Sequence, residues 1–182
     1  MFSKTHTMHT VVKAKNVDIS RLETASPRAI INGKSYNFDL LYNEFESLTV
    51  QLPRCQLYTG LYESDGKCYC EILLPSDGIT SDLYYRIASK LEKSVKKQRV
   101  DLVDVTFVGH LRKMPNGSLL RLKLPQNRST VQTEVVSKGG NKLSFAEFVK
   151  GAMVIPIVAI ENVYVINETL GFNILLKQVV VL

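Results

Sequence analysis

Short runs of alternating hydrophobic and polar residues fill much of the first 75 positions of the chain. Alternation of this kind places apolar side chains on one face of a β-strand and polar side chains on the other. Turn signals such as Asn32-Gly33 and Asp65-Gly66 separate the runs. The pattern predicts a first half built of strands, at 10–15, 29–32, 36–42, 47–52, 55–58 and 68–74.

A helical period then replaces the alternation. An apolar stripe recurs every four residues at Leu83, Ile87, Leu91 and Val95. Capping oxygens at 80–82, Thr-Ser-Asp, precede it, so we predict a helix over 81–98. Its other side carries the cations Arg86, Lys90, Lys93 and Lys97. Lysines late in a helix complement its dipole, so this basic side is partly structural.

Strand patterns resume after the helix. They predict strands at 102–108, 110–114, 119–124 and 130–137. The last thirty residues are the most apolar, and they predict a long closing hairpin with strands at 153–166 and 172–182 around a turn at 167–171. Pro156 interrupts the first of these two strands.

The Asn116-Gly117 pair is a strong signal for a two-residue hairpin turn. With these two residues in the turn, Met114 pairs with Leu119 and Arg112 pairs with Arg121. The strand period then places His110, Arg112, Arg121 and Lys123 on one face, and turns Leu111, Leu120, Leu122 and Leu124 toward the core. Two opposed arginines repel unless an anion lies between them, and a phosphate suits that position, although water and salt also tolerate the pair.

These elements predict a mainly β protein. The fold that fits them is an OB-fold-like Greek-key barrel with one amphipathic helix and an extended β-hairpin. A β-sandwich is the alternative that periodicity does not separate from it. We expect one domain over residues 1–182, with a flexible N-terminal tail at 1–9.

The positive charge of the chain is concentrated in its middle third. The net charge is +6, and residues 86–142 hold 13 basic and 4 acidic side chains, whereas the flanking segments are slightly acidic. A localised anion-facing surface explains this distribution better than a general solvated coat, which remains the alternative.

The three cysteines, Cys55, Cys68 and Cys70, lie inside strand-like runs. An odd number of cysteines at such positions favours reduced, partly buried thiols in the cytoplasm or nucleus. A zinc site with a histidine is a weaker alternative, because zinc ligands are usually spaced more closely. We find no segment of signal-peptide or membrane-spanning length, and expect no membrane partner.

Catalytic and cofactor motifs are missing from the sequence. It has no phosphate-cradling glycine loop, serine elbow or carboxylate pair at a catalytic spacing. We therefore expect a binding protein without catalytic activity, metal or cofactor. An enzyme whose site assembles only in three dimensions remains an alternative.

Tyrosines cluster near cations in the β-rich first half. Aromatic rings stack on nucleic-acid bases without sequence preference, while cations hold the backbone phosphates. Half-buried core tyrosines are the alternative reading. The candidate nucleic-acid-binding residues are Arg54, Tyr58, Tyr62, Lys67, Tyr69, His110, Arg112, Lys113, Arg121 and Lys123.

Two stretches resemble a known family. The run SLTVQLPRCQLYTGLYESDGKCYCEILLP and the ending VIPIVAIENVYVINETLGFNILLKQVVVL are similar to the single-stranded-DNA-binding proteins of large nucleocytoplasmic DNA viruses and related phage proteins. The matching motif positions are Pro53, Gly60, Leu61, Gly171, Phe172 and Gln178. This chain has Tyr164 where the family often has Trp, and it ends without the acidic tail of the phage relatives, so we expect no recruitment of partners through such a tail.

The resemblance implies an OB barrel that coats single-stranded DNA during viral replication, recombination or repair, often as a homodimer. We expect the same of this chain, with single-stranded DNA as its partner. An assembly protein of a virion and an RNA-binding module are the rival interpretations. The stacking surface would serve RNA equally well, and only the 2′-hydroxyl would distinguish the two.

Overall fold

The computed structural model describes residues 11–30, 35–43, 47–76 and 78–182. It contains one α-helix, α1, at Ile79–Gln98. The strands are β1 Val11–Lys13, β2 Leu22–Thr24, β3 Arg28–Ile30, β4 Ser35–Phe38, β5 Leu40–Tyr42, β6 Leu48–Gln51, β7 Cys55–Leu57, β8 Tyr62–Ser64, β9 Lys67–Leu74, β10 Thr106–Phe107, β11 Leu111–Met114, β12 Gly117–Leu124, β13 Gln126–Asn127, β14 Thr130–Val131, β15 Glu134–Ser137, β16 Met153–Ile166 and β17 Thr169–Val181.

Five strands close into a barrel. Going round it, β7 pairs with β9, β9 with β12, β12 with β17, β17 with β16, and β16 with β7 again. Only the β12–β17 contact is parallel among these five. The connections make a Greek key, which confirms the OB-like barrel that the strand pattern predicts.

Further strands extend the barrel sheet at its margins. β6 and β4 pair with β16, β1 pairs with β6, and β10 and β15 pair with β17. β8 and β11 extend β9 and β12 as hairpins. The β8–β9 turn is Asp65-Gly66, and both residues have positive φ, as the sequence signal predicts.

The barrel core follows the alternation of the sequence. Along β9, Cys68, Cys70, Ile72 and Leu74 are buried, and Leu120, Leu122 and Leu124 of the neighbouring strand β12 lie beside them on the same inward face. The residues between them point to the outside of the barrel. The outer face of β9 and β12 therefore carries the polar half of each pattern.

Helix α1 lies between β9 and β12 in the chain, and its predicted stripe is buried. The predicted cap at 80–82 was wrong: the helix begins at Ile79, two residues before the approximate start that the sequence predicts, and follows Gly78, which adopts φ 77°. Glycine tolerates this left-handed conformation. Because Gly78 has no side chain, the N-terminus of the helix has no side-chain cap. Thr80, predicted to cap, is buried within the first turn instead.

The closing hairpin is tighter than predicted. The turn is only Asn167-Glu168, with φ of 46° and 64°, and Ile166 pairs with Thr169. Pro156 does not interrupt β16: it pairs with Val179, and its carbonyl accepts a hydrogen bond from the Leu52 amide at 2.9 Å.

The short connections differ most from the sequence prediction. Segment 102–108 forms only β10 after a short 3₁₀ turn at Val100–Leu102, and segment 130–137 divides into β14 and β15. β2 and β8 were not predicted. The predicted tail at 1–9 and the Asn32-Gly33 turn lie outside the described residues.

No helix in the described part of the chain is both long and apolar enough to cross a membrane.

Candidate binding groove

A groove of about 400 Å³ opens on the outer face of β9 and β12. We call it the basic groove. Half of the ten candidate residues line it: Lys67, Tyr69, His110, Arg121 and Lys123. The strands 2 and 3 of OB barrels, which β9 and β12 correspond to, are the surface on which that fold commonly binds oligonucleotides.

Strand register explains why these residues meet. Lys123 lies opposite Tyr69, and Tyr69 lies opposite Tyr62 on β8, so three strands contribute one row of side chains. Arg121 lies one row away, opposite Glu71. Paired residues of neighbouring strands point to the same face, which here is the outside of the barrel.

Arg121 is at the centre of the groove wall. Its guanidinium carbon lies 3.8 Å from the centre of the Tyr69 ring and 5.8 Å from the centre of the Tyr62 ring. The two rings are 6.0 Å apart and inclined by 31°. The Nε of Arg121 is buried and has no hydrogen-bond partner among the described residues. The guanidinium is therefore held by cation–π contact rather than by an acid.

Acidic side chains do little to neutralise the cations of the basic groove. Glu71 faces Arg121 across the β9–β12 ladder, but no ion pair joins them. Within the described ranges, Lys67 and Lys123 are likewise without an ion pair. A groove with several unpaired cations favours an anionic ligand.

His110 lies next to Arg121 at the edge of the groove. Its amide donates a hydrogen bond to the Tyr84 hydroxyl on α1 at 2.7 Å, and its carbonyl accepts one from the Arg121 amide at 3.2 Å. Burial lowers the pKa of His110 below its usual value, and the charge of Arg121 lowers it further. Both effects favour the neutral imidazole, which can donate and accept a hydrogen bond.

The opposite wall comes from the closing hairpin, and the candidate residues did not include it. It consists of Tyr164, Ile166, Asn173 and Ile174. The Tyr164 ring covers Gly171, where a Cβ would lie only 2.5 Å from the ring. Burial raises the pKa of the Tyr164 phenol. The one signal for this wall in the sequence is Tyr164, an aromatic residue shortly before the closing turn.

The predicted register of the β11–β12 hairpin was wrong. The turn is Pro115-Asn116, Met114 pairs with Gly117, and Arg112 lies opposite Leu119 rather than Arg121. Gly117 belongs to the strand because β9 passes very close: a Cβ there would lie 2.4 Å from the Leu74 carbonyl oxygen. The arginines are therefore not opposed, and no anion is needed between them.

The observed register differs from the predicted one by two residues, so the residues that were predicted to share a face still share it. His110 and Arg121 are opposite one another, and Arg112 shares their side of the ribbon. Arg112 and Lys113 are both exposed, but neither lines the basic groove, and Lys113 alternates onto the other side of the hairpin. Both residues lie close to the Pro115-Asn116 turn, at the tip of the hairpin.

Arg54 and Tyr58 also lie outside the groove lining. Arg54 is exposed in the bend between β6 and β7. The ring of Tyr58 has the Nζ of Lys150 at 5.6 Å from its centre, a cation that the sequence interpretation missed. Tyr62 contacts the groove through Tyr69 and Arg121 without lining it.

The three cysteines are free and buried. Burial raises the pKa of the Cys55 thiol to about 12 and raises that of Cys70 as well. In the described part of the chain, no three side chains of His, Cys, Asp or Glu gather in a metal-binding arrangement. The cysteines therefore behave as core residues.

No family model matches the chain, and a search of curated proteins finds no match either.

Proposed function

We propose that the protein binds single-stranded DNA without sequence preference, through the basic groove. The observation that carries the proposal is the stack of Arg121 on Tyr69, beside Tyr62, in a groove with unpaired Lys67 and Lys123. Planar groups and cations at one site match the two components of a single strand, its bases and its phosphates.

The position of the groove supports the same ligand. It lies on the barrel strands and beside the closing hairpin, where OB folds bind oligonucleotides. The resemblance of two segments to viral single-stranded-DNA-binding proteins points in the same direction. The role in viral replication, recombination or repair, and the homodimer, rest on that resemblance alone.

The mechanism begins with electrostatic capture. Lys67, Lys123 and Arg121 attract the phosphates, and counterions leave the strand as the phosphates are neutralised. One face of the Tyr69 ring is already covered by Arg121. A base therefore stacks on the outer face of the guanidinium or on Tyr62, and Tyr164 offers a second ring on the opposite wall.

Discrimination between nucleic acids follows from shape. Bases must be unstacked and accessible to reach the rings, so a duplex, whose bases are paired and stacked, offers only its phosphates. Asn173 adds an amide that can donate and accept hydrogen bonds, which suits any base. We therefore expect a strong preference for single strands and little preference among sequences.

Fluorescence anisotropy of a labelled thymidine oligomer tests this function. The full chain is titrated across a series of salt concentrations, with duplex DNA and a uridine oligomer as competitors. We expect tight binding whose log affinity falls with log salt by about 0.7 for each phosphate neutralised. Equal competition by duplex would overturn the proposal, and stronger competition by uridine would make RNA the ligand.

A further inference from the structure

A second basic groove lies along the C-terminal half of helix α1. It is about 440 Å³ in volume and lies between the helix and β2. Its cations are Lys90, Lys93 and Lys97, which follow one side of the helix. Lys90 and Lys97 are about 10 Å apart along the helix axis. We call this the helix groove.

The lysines of the helix groove lack acidic partners, unlike their neighbours. On the same helix, Arg86 pairs with Asp82 at 3.7 Å and Lys96 with Glu92 at 2.7 Å. No ion pair among the described residues involves Lys90, Lys93 or Lys97. Glu23 is the single acid in the lining. The groove therefore keeps a net positive charge.

The floor of the helix groove is polar but already hydrogen-bonded. The hydroxyls of Thr24 and Ser94 lie 2.7 Å apart, and Gln98 Nε2 donates to the Thr24 hydroxyl at 2.8 Å and to its carbonyl at 2.6 Å. The floor thus has few free donors for a ligand. The ammonium groups are left as the binding elements, which suits charge recognition without base readout.

The residues that line the helix groove also indicate which class of polyanion suits it. Acidic peptides commonly anchor by aromatic or aliphatic side chains in apolar pockets. The helix groove offers no such pocket: Leu22, its one apolar lining residue, is fully buried. It contains no aromatic ring for base stacking either. A phosphodiester backbone needs neither.

Helix α1 links the two grooves. Its Tyr84 accepts the amide hydrogen bond of His110, which lines the basic groove, whereas Lys97 lines the helix groove. Tyr84 and Lys97 are about 20 Å apart along the helix. A separation of this size is within the length of the roughly 4 to 16 nucleotides that one OB fold covers.

We propose that the helix groove binds the phosphate backbone of the same single strand, beyond the segment held in the basic groove. The inference rests on the proposed function and extends it. Lys90, Lys93 and Lys97 act as a backbone contact without base recognition, so the site becomes longer than the basic groove alone.

The test compares two thymidine oligomers, of about 5 and about 20 nucleotides, by anisotropy across a salt series. The triple variant Lys90→Gln, Lys93→Gln, Lys97→Gln should bind the long oligomer with a salt slope smaller by about 2, at 0.7 per phosphate. Its affinity for the short oligomer should stay at the wild-type value. Lys93→Gln alone, at an exposed position, should give about one third of the change and guards against misfolding of the triple variant.

The matched control carries the same change of net charge elsewhere. Lys13, Lys138 and Lys142 are exposed and line neither groove, so the triple variant Lys13→Gln, Lys138→Gln, Lys142→Gln should keep the wild-type slope for both oligomers.

An equal loss of salt slope in this control variant, or an unchanged slope in the helix-groove variant, would overturn the inference while leaving the proposed function standing. Displacement of the long oligomer by polyglutamate from the wild type but not from the helix-groove variant would overturn it too, in favour of an acidic peptide. Failure of the wild type to bind either oligomer would instead refute the proposed function.

Discussion

Arg121 shows how much a single side chain depends on its neighbours. The guanidinium lies on Tyr69 and close to Tyr62, with a buried Nε that lacks a partner among the described residues. The stack fixes the plane of the guanidinium, and an arginine fixed in this way loses less conformational entropy when a phosphate or base binds. The proposed site is thus partly preorganised, and within the part of the chain that the structure describes no ion pair joins Arg121 to an acidic residue that would compete with a ligand.

Tyr62 and Tyr58 make a matched pair for testing the stacking role. Tyr62→Leu should weaken binding of a thymidine oligomer by about 1 to 3 kcal/mol, the usual loss for one stacked base, and leave the salt slope unchanged. Tyr58→Leu should have a much smaller effect, because Tyr58 faces Lys150 outside the groove. Anisotropy titrations of both variants measure this. Equal losses would place the stacking surface nearer to β7.

His110 gives the folded protein a dependence on pH. Burial and the charge of Arg121 hold its pKa below the usual value of about 6.5, so the unfolded chain binds more protons than the folded protein as the pH falls through this range. The free energy of unfolding should therefore decrease from pH 7.5 to pH 5.5. Urea unfolding of His110→Gln should show a weaker decrease.

His9→Gln is the matched control for that experiment, since it removes a histidine from the predicted tail. It should retain the full decrease of the wild type. If His110→Gln retains it as well, protonation of His110 is not the source. The window near pH 6 separates this effect from the carboxylates Asp18 and Asp101, whose lowered pKa values act in more acidic solution.

At the scale of the elements, the β11–β12 hairpin depends on one close approach. Gly117→Ala places a Cβ 2.4 Å from the Leu74 carbonyl oxygen at a φ of 142°. Both the clash and the backbone conformation oppose a side chain, so we expect a loss of stability greater than about 1 kcal/mol. Chemical denaturation measures it.

Gly139→Ala is the control for the hairpin variant. The nearest atoms to its Cβ would lie at 3.8 Å, an ordinary contact. The free energy of unfolding of this variant should stay within about 0.5 kcal/mol of the wild type. A Gly117→Ala protein as stable as Gly139→Ala would mean that β9 can move away from the hairpin.

The strands and the helix also show where a local sequence pattern is enough to predict the structure. Alternation in β9 and the stripe of α1 predict their buried faces, since strand and helix periods are set by the backbone alone. The hairpin turn was misplaced, because Asn116-Gly117 satisfies the usual signal while Gly117 is required by a strand from elsewhere in the chain. A local signal is ambiguous wherever a distant backbone demands the same residue.

On the scale of the whole molecule, the barrel makes the cysteines inaccessible. Cys55, Cys68 and Cys70 are buried, and burial raises the pKa of Cys55 to about 12, so little thiolate forms at neutral pH. We expect no reaction with a thiol-specific disulfide reagent in the native protein and reaction of all three thiols in urea. Absorbance of the released thiolate follows the reaction. Rapid labelling of the native protein would mean that the barrel opens easily.

Closure of the barrel also creates the basic groove. Tyr69 and Tyr164 are nearly one hundred residues apart in the chain, yet they line one groove because β9, β12, β17 and β16 are consecutive neighbours. Helix α1 likewise contacts residues of both grooves: its Tyr84 accepts the amide hydrogen bond of His110, and its Lys90, Lys93 and Lys97 line the helix groove. Neither relation leaves a periodic trace in the sequence.

The amino-acid sequence by itself determined the strand-rich character, the helix, the faces that are buried and the segment that carries the positive charge, because these depend on local periodicity and composition. The tertiary structure decided the register of the β11–β12 hairpin, the opposite wall at Tyr164 and Asn173, and the separation of Arg54 and Tyr58 from the groove. The physical reason is that strand partners and their register are chosen by non-local packing of the core, and each choice moves whole rows of side chains together.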